Sequence, residues 1–333
     1  MRNFLNCSKF LILALVGMSI SACKNYGTFS KPYRVIATGP GPEDIALDTS
    51  LGYPRIVISS TERRLEDSSR NGFYAYTIST GKQIRLTIEG LPDSLQLRPH
   101  GIDMAQIGNN TFLYAVNHDS KRDLHGVLVF QLQENSLQFV NALYNPLVTS
   151  PNDVCTDHRG GLYVSNDSGK KGSNWEKLWA LKRSYIMHFD GTTWKQVGDK
   201  LAYANGVGVL DNRLYVTGTQ EKTIHSYTIE PSGLTNRVDL PAIKGADNIT
   251  FSNGKVITAA HLDFLKFLGH VKKSENKSPS MVHSVDMKTR KLDTLFLDNG
   301  HVFSASSTGL IVGDSLYVSQ VFDPFLVVIP LIK

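Results

Sequence analysis

The sequence lacks several features that would point to familiar classes of function. It has no basic stripe interleaved with aromatic residues. Its net charge is only +5 and its Lys and Arg residues are scattered, which argues against nucleic acid as a partner. It has no Gly-x-Ser-x-Gly motif, so the nucleophilic serine of the α/β-hydrolases is not indicated. Because 41% of its residues are hydrophobic and 20% are charged, its composition is that of a folded globular protein and not of a disordered chain.

The N-terminal apolar run, residues 10–18, is too short to span a bilayer as a stable helix. It follows Arg2 and Lys9 and precedes Ile20-Ser21-Ala22-Cys23, so residues 1–22 are predicted to be an export signal. The apolar-small-small-Cys ending resembles the bacterial lipobox. That resemblance implies a lipid on Cys23, a tether over residues 23–32 and a membrane-anchored protein of the bacterial cell envelope, facing the periplasm or the exterior. Cleavage near Ala22 with Cys23 as a bystander is the alternative.

Cysteine is almost absent. The three cysteines are Cys7, Cys23 and Cys155. Cys7 would leave with the signal and Cys23 would carry the lipid, so the mature chain could form no internal disulfide even in an oxidising compartment. Cys155 lies in an apolar strand pattern, which predicts a buried small side chain and not a nucleophile.

A short signature recurs along the rest of the chain. Each copy places acidic, amide or other polar residues directly ahead of a short apolar strand; the copies are residues 42–48, 99–104, 150–157, 204–209, 246–251 and, in degenerate form, 306–311. Measured at Asp44, Gly101, Asp153, Gly206, Asn248 and Thr308, the copies are 57, 52, 53, 42 and 60 residues apart. Spacings near this size are typical of one four-stranded propeller blade.

The pattern therefore predicts an all-β, six-bladed β-propeller over residues 33–333. Its last blade is one strand short at the C-terminus, and residues 33–38 could supply the missing strand and so remove the exposed sheet edges. A two-sheet sandwich is the alternative, but it leaves the regular spacing unexplained. Residues 169–183 and 262–279 interrupt the strands with helix-like apolar spacing. They are expected either to form an apolar lid or membrane-facing patch, or to pack on their own blades.

The first strand of each propeller blade lines the central channel, so residues just ahead of these strands should converge at one mouth. In this chain they are Glu43, Asp44, His100, Asn152, Asp153, Asn205, Asp247 and Asn248. Four carboxylates and three amides, with no thiolate and one histidine, suit a hard ion such as Ca²⁺ better than zinc. For one isolated signature, an Asx turn that caps a strand entry would be the simpler interpretation.

These residues, in this order, resemble the paraoxonase/arylesterase family of calcium-dependent lactonases, from about residue 39 to the C-terminus. The resemblance implies a six-bladed propeller with two calcium ions in its channel. It implies that Glu43, Asn152, Asn205, Asp247 and Asn248 bind the upper, catalytic ion, and that Asp44, Asp153 and the backbone carbonyl of Ile102 bind the deeper, structural ion. It also implies that His100 is the general base, that His118 is its partner, and that Tyr203 and His261 line the substrate pocket.

The chain departs from the family pattern at two places. It has no cysteine at its C-terminus, so blade closure must rest on strand pairing alone. It also has Asn166-Asp167-Ser168 where the family often has a histidine. The other histidines, among them His125, are assigned structural or surface roles.

The expected function is calcium-dependent hydrolysis of lactones and aryl esters. The ion would polarise the substrate carbonyl while the histidine pair activates water. Two alternatives remain open at this point. One is a gluconolactonase-like sugar lactonase with one metal ion, and the other is a non-catalytic, calcium-stabilised propeller that binds a partner.

Overall fold

The computed structural model describes residues 26–27, 31–65 and 67–331. Over these residues the chain is nearly all β and forms a six-bladed propeller, as predicted. The predicted signal over residues 1–22 and the predicted lipidation site at Cys23 lie outside the described residues, as does most of the tether. No helix in the described part of the chain is long and apolar enough to cross a membrane.

The blades are antiparallel sheets that follow one another along the chain, each with its first strand on the channel. Blade one contains β2 (Pro42–Asp48), β3 (Arg55–Ser60), β4 (Gly72–Thr77) and β5 (Gln83–Arg85). Blade two contains β7 (Pro99–Ile107), β8 (Asn110–Asp119), β9 (Leu124–Leu132) and β10 (Ser136–Leu143), and the short β6 (Thr87–Glu89) pairs in parallel with β10 at its outer edge. Blade three contains β11 (Pro151–Thr156), β12 (Leu162–Asn166), β13 (Ser184–Phe189) and β14 (Trp194–Leu201).

The second half of the ring repeats this arrangement. Blade four contains β15 (Ala204–Leu210), β16 (Arg213–Gly218), β17 (Thr223–Glu230) and β18 (Gly233–Pro241). Blade five contains β19 (Ala246–Ser252), β20 (Lys255–His261), β21 (Ser280–Asp286) and β22 (Leu292–Asp298). Blade six contains β23 (Ser306–Val312), β24 (Ser315–Gln320) and β25 (Phe325–Pro330), and β1 (Arg34–Ala37) completes it.

The ring closes through strand pairing of its two ends. β1 pairs antiparallel with β25, with Arg34 opposite Val328 and Ala37 opposite Phe325. Each inner strand contacts the inner strand of the next blade, and β23 of the last blade contacts β2 of the first. Closure by the N-terminal strand is therefore confirmed, and β1 covers the outer edge of β25.

The apolar core lies between neighbouring blades. Val116 and Val127 of blade two, for example, pack with Val154 and Val164 of blade three, and all four side chains are buried. Cys155 is also buried, in the cluster that joins blades three and four. The blades thus bury apolar side chains against one another around the ring.

The six sequence signatures form β-bulges at the entry of the inner strands. In every blade the register between the first and second strands shifts at the signature, for example between Pro42 and Asp44 and between Pro151 and Val154. A bulge places an extra residue on one strand and redirects the side chains beside it. The polar residues of the signatures are therefore turned toward the channel at the same level in each blade.

Two short helices follow the second strands of their blades. Helix α1 (Asn174–Leu178) lies between β12 and β13, and its N-cap Ser173 accepts a hydrogen bond from the Glu176 N–H. Helix α2 (Phe264–Lys272) lies between β20 and β21 and is capped by Asp263. These helices coincide with the two stretches whose spacing is helix-like in the sequence.

Candidate functional site

The channel mouth collects the predicted ligand side chains in a buried ring. Glu43, Asp44, Asn152, Asp153, Asn205, Asp247 and Asn248 are each at most 6% exposed. The burial of so many oxygen-bearing groups in one place is costly unless each finds a partner. The partners that they have, and those that they lack, divide them into two groups.

The first group has amide oxygens without partners. The Oδ1 atoms of Asn152, Asn205 and Asn248 are buried and accept no hydrogen bond from any described residue. The amide nitrogen of Asn248 donates to Thr308 Oγ1 at 2.9 Å, which fixes the orientation of that side chain. Three unpartnered amide oxygens beside the carboxylates of Glu43 and Asp247 form the donor set that a hard cation prefers.

Glu43 joins this group to a histidine and an arginine. Its Oε1 atom is 3.1 Å from His100 Nε2, and its Oε2 atom is hydrogen-bonded to Arg63. Burial raises the pKa of Glu43 to about 8, although Arg63 opposes the shift, and the nearby Asp247 and Asp44 add to it. Arg63 alone thus does not offset the burial of this carboxyl group, whereas a bound cation would favour its charged form.

The second group lies deeper and ties blades together. Asp44 Oδ2 accepts the Ile102 N–H of the next blade at 2.7 Å, and Asp153 Oδ2 accepts the Val207 N–H of the next blade at 2.8 Å. Burial raises the pKa of Asp44 to about 6 and raises that of Asp153 well above its usual range, with Asp44 as a further cause. Asp44, Asp153 and Ile102 line one cavity of about 230 Å³ inside the channel.

Both groups fit calcium by donor chemistry. Within the described ranges no three His, Cys, Asp or Glu side chains form a metal-binding cluster. Each predicted set contains only two carboxylates and draws its other oxygens from amides or a backbone carbonyl. Such mixed oxygen sets are typical of Ca²⁺ and not of zinc, which favours nitrogen and sulfur ligands.

His100 is held as a neutral base. Its Nδ1 atom lies 2.8 Å from the Asn152 carbonyl oxygen, and because a carbonyl can only accept, Nδ1 must carry the hydrogen. The lone pair of the neutral ring is then on Nε2, which faces Glu43. Burial lowers the pKa of His100 well below its usual range, and Arg63 and His118 lower it further. A protonated Glu43 can donate to Nε2 when no cation is bound.

His118 lies beside His100. The two rings meet edge to face with centroids 5.0 Å apart. Burial, followed by the neighbouring His125 and Arg63, lowers the pKa of His118 well below its usual range. The predicted histidine pair is therefore brought together, and both rings are neutral near neutral pH.

The predicted pocket residues lie under helix α2. His261 Nε2 is 2.9 Å from Asp247 Oδ2, and its ring stacks on Phe267 with centroids 4.1 Å apart. Tyr203 meets Phe264 edge to face at 6.4 Å. The wall of the mouth thus combines aromatic rings with one edge of the predicted cation site.

Four residues outside the predicted set contribute to the mouth. Arg63 pairs with Glu43, and Thr308 Oγ1 donates to Asp44 Oδ1 at 2.7 Å. Lys177 of α1 pairs with Asp167 and lies over the Tyr203 ring. His125 contacts His118. Several of the mouth residues lie near the end of the second strand of a blade: His118, Asp167, His261 and, a few residues further on, Arg63. An alignment of the second strands of the six blades would have identified the end of this strand as a functional position.

Comparison with known proteins identifies a family. Residues 67–327 match the family model described as Arylesterase. Serum paraoxonase/arylesterase 1 of Mus musculus is 21% identical over 96% of this chain and 99% of its own length. Serum paraoxonase/arylesterase 2 of Homo sapiens is 22% identical over 69% of this chain and 68% of its own length.

Solved structures share the fold at lower identity. A gluconolactonase from Xanthomonas campestris superposes with a TM-score of 0.59 at 14% identity and covers 90% of this chain and 89% of its own. Regucalcin, a calcium-binding protein from Agrobacterium tumefaciens, superposes with a TM-score of 0.56 at 12% identity and covers 91% of this chain and 95% of its own. At these identities the likeness concerns the fold alone.

Proposed function

Because this chain belongs to the arylesterase family, we propose that it is a calcium-dependent hydrolase of lactones and aryl esters. Family membership supports a hydrolase of the esterase or lactonase kind. The observation that carries the calcium proposal is the ring of three buried amide oxygens without partners, placed beside Glu43 and a neutral histidine. Structural similarity to regucalcin, described as a calcium-binding protein, is consistent with it.

We assign two ions to the channel. The catalytic ion would be held by Glu43, Asn152, Asn205, Asp247 and Asn248. The structural ion would be held by Asp44, Asp153 and the carbonyl of Ile102. A bound calcium ion would supply the positive charge that polarises the ester carbonyl.

The histidines perform the proton chemistry. His100 Nε2 carries the lone pair of the ring and accepts a proton from the attacking water, while the Nδ1 hydrogen bond to the Asn152 carbonyl holds the ring in place. Arg63 pairs with Oε2 of Glu43, and a cation held by the same carboxylate would leave His100 Nε2 available. His118 lies against the His100 ring and accepts the proton next.

The aromatic wall orients the substrate. Tyr203, Phe264 and Phe267 offer ring faces to the apolar part of a lactone or aryl ester, and His261 links this wall to Asp247. A bound ester would therefore have its carbonyl toward the oxygen ring and its apolar group under helix α2.

A gluconolactonase-like reaction with one metal ion is the second candidate, since the fold is shared with a gluconolactonase. It provides no ion for the deeper pair, Asp44 and Asp153, whose pKa values are raised by burial. A non-catalytic propeller that binds a partner gives no role to the oriented histidines. Counting bound ions by calorimetry while assaying lactone hydrolysis separates these cases: one ion with activity favours the single-metal enzyme, and two ions without activity favour the scaffold.

The direct test is hydrolysis of a γ- or δ-lactone and of phenyl acetate by the purified protein, with EDTA and after calcium is restored. We expect activity to disappear with EDTA and to return with calcium. His100→Gln should lower kcat by at least about 10²-fold while thermal unfolding changes little. His301→Gln, at an exposed position, is the matched control. Activity that survives chelation, or a fully active His100→Gln variant, would contradict this mechanism.

A further inference from the structure

A third histidine extends the histidine pair away from the mouth. His118 of β8 and His125 of β9 are directly opposite each other in the antiparallel ladder. Their Nδ1 atoms are 2.9 Å apart, and their ring centroids are 4.9 Å apart. This is hydrogen-bonding distance between two ring nitrogens.

A hydrogen bond between two neutral imidazoles requires unequal tautomers. One Nδ1 atom must carry the hydrogen and the other must accept it, so one ring has its single N–H at Nδ1 and the other has it at Nε2. The bond therefore orients the His118 ring and couples its tautomer to that of His125, and outward transfer uses the pair in which His118 donates. It also provides a path along which one proton can pass from His118 to His125.

His125 faces a cavity that is separate from the channel mouth. The cavity has a volume of about 350 Å³, and Asp123, Tyr144, Pro146 and Lys171 line it together with His125. The Asp123 side chain is 83% exposed and pairs with Lys171, so the cavity opens at the protein surface. None of the residues assigned to the two ions lines it.

The charges around the histidines favour outward movement of a proton. His118 is near three cationic side chains, Arg63, Lys177 and Arg98. Burial is the largest cause that lowers its pKa well below the usual range, and His125 and these three cations lower it further. Burial and Lys171 lower the pKa of His125, but the carboxylates of Asp123, Asp167 and Asp119 oppose the shift. Acidic groups are thus near the outer histidine and cationic groups near the inner one.

We propose that His125 is the outer member of a three-histidine relay that releases the proton of each turnover into this side cavity. The proposal rests on the hydrolase function proposed above. Hydrolysis of an ester by water gives a carboxylate, an alcohol and one proton. His100 takes the proton from the water and passes it to Nε2 of the adjoining His118 ring. His118 then gives its Nδ1 hydrogen to Nδ1 of His125, and His125 releases its Nε2 hydrogen to bulk water or buffer. Both rings return to their starting tautomers before the next turnover. Substrate and proton thus use different openings.

Two substitutions test the relay at low buffer concentration. His125→Gln keeps an amide oxygen that can accept the His118 Nδ1 hydrogen but cannot carry a proton, and His125→Ala leaves room for a small base. We expect His125→Gln to lower kcat by about tenfold without a change in KM, which is less than the loss of a directly acting base. We expect kcat of both variants to rise with buffer concentration, and imidazole to restore His125→Ala. A lactone is the substrate, with an enzyme-free blank, because imidazole attacks aryl esters directly.

His301→Gln is the matched control, and its kcat should stay independent of buffer. Variants with wild-type kcat at every buffer concentration would overturn the relay. Loss of kcat that neither buffer nor imidazole restores would also overturn it, and would leave His125 a positioning residue only.

Histidine-labelled NMR separates this inference from the proposed function. We expect a scalar coupling between two ring nitrogens of the wild type, which disappears in His118→Gln and in His125→Gln. A protein with this coupling that hydrolyses no lactone or ester with calcium present would refute the proposed function and, with it, the relay. An active protein without the coupling would refute the relay alone.

Discussion

Two neighbouring side chains, Asn152 and Asp153, have different surroundings although they belong to one β-bulge. The Asn152 amide oxygen has no partner in the described structure, and its backbone carbonyl holds His100. The Asp153 carboxylate accepts the N–H groups of Val154 and Val207 and so joins blade three to blade four. Asn152 therefore contributes its side chain and its carbonyl to the channel mouth, whereas Asp153 connects two neighbouring blades by hydrogen bonds.

Substitution of each residue by alanine should separate these roles. Asn152→Ala should lower kcat by at least about tenfold, since it removes one predicted ligand of the catalytic ion, while the backbone carbonyl still holds His100. Asp153→Ala leaves two buried N–H groups without an acceptor, so the free energy of unfolding with calcium present should fall by roughly 2 kcal/mol or more. Lactone assays measure the kcat of both variants, and thermal unfolding measures their melting temperatures.

Asn141→Ala, at an exposed position, is the control. If the Asn152 and Asp153 variants had the same melting temperature and full activity, the assignment of different roles to the two residues would be refuted.

The residues that sequence reasoning missed are those whose contacts depend on strand register. The Asn-Asp pairs are recognisable because their function resides in adjacent residues. His118 and His125 are seven positions apart and face each other only because the β8–β9 hairpin places them opposite. Thr308 reaches Asp44 from another blade, and Arg63 reaches Glu43 from the loop that follows β3 of the same blade. No local pattern reports such contacts.

The strand entries are the elements on which the site depends. In four blades the residue just before the inner strand has a positive φ angle: Gly41, Tyr203, Gly245 and Ala305. Glycine adopts this conformation readily, whereas an aromatic residue does so at a cost. Tyr203 therefore holds a strained backbone in the aromatic wall of the mouth, and such strain tends to occur at functional sites. The family resemblance predicts Tyr203 at the pocket, but the sequence cannot show its backbone conformation.

The bulges also bring neighbouring inner strands very close. A Cβ atom added to Gly206 would lie 2.5 Å from the Asp247 carbonyl oxygen and 2.6 Å from the Asn248 Cα atom. Both atoms belong to the backbone, so they cannot move without disturbing blade five. Gly206 is thus required for the close approach of blades four and five.

Gly206→Ala should lower the free energy of unfolding by roughly 1–3 kcal/mol, the usual cost of overpacking. It should also weaken calcium binding, because the clash is with the backbone of Asp247 and Asn248. Gly269→Ala in helix α2 is the matched control, since its nearest neighbour would be an ordinary 3.6 Å away and alanine favours helices by about 1 kcal/mol. Denaturant unfolding of both variants measures the difference. If Gly206→Ala and Gly269→Ala had equal free energies of unfolding, blades four and five would be able to move apart at Gly206 without loss of stability, and the requirement for glycine there would be refuted.

For the whole molecule, the regular spacing of the signatures was enough to predict the propeller and its closure. Each blade must begin with the same bulge, so the spacing of the bulges counts the blades. β6, which adds a short fifth strand to blade two, was not predicted, because three residues carry no periodic pattern. The positions of α1 and α2 above the mouth were also left open, since they depend on tertiary contacts such as that of Lys177 with Asp167.

The channel is short of positive charge when no cation is bound. Burial raises the pKa of Glu43 to about 8 and that of Asp44 to about 6, and raises the pKa of Asp153 well above its usual range. A carboxyl group whose pKa is higher in the folded state stabilises the fold fully below its unfolded pKa, and this stability is lost as the pH rises through the folded value. The pKa values of His100 and His118 are lowered, so they have the opposite effect, and their contribution is lost as the pH falls below about 6.5.

Calcium should therefore stabilise the protein more as the pH rises. Near pH 5 the buried carboxyl groups keep their protons and compete with the ion, so the melting temperature should differ little between calcium and EDTA. From about pH 6 to pH 8 the difference should grow, because the carboxyl groups of Asp44 and Glu43 then lose their protons in the folded state. Titration calorimetry in buffers of different ionisation enthalpy should detect protons released on calcium binding near pH 6, and fewer above about pH 8. In Asn141→Ala the pH dependence of this melting-temperature difference should be unchanged. In Glu43→Gln the part of its rise that occurs near pH 8 should disappear.

An equal calcium-induced rise in melting temperature at pH 5 and at pH 8, with no proton release, would mean that calcium binds elsewhere than among these carboxyl groups.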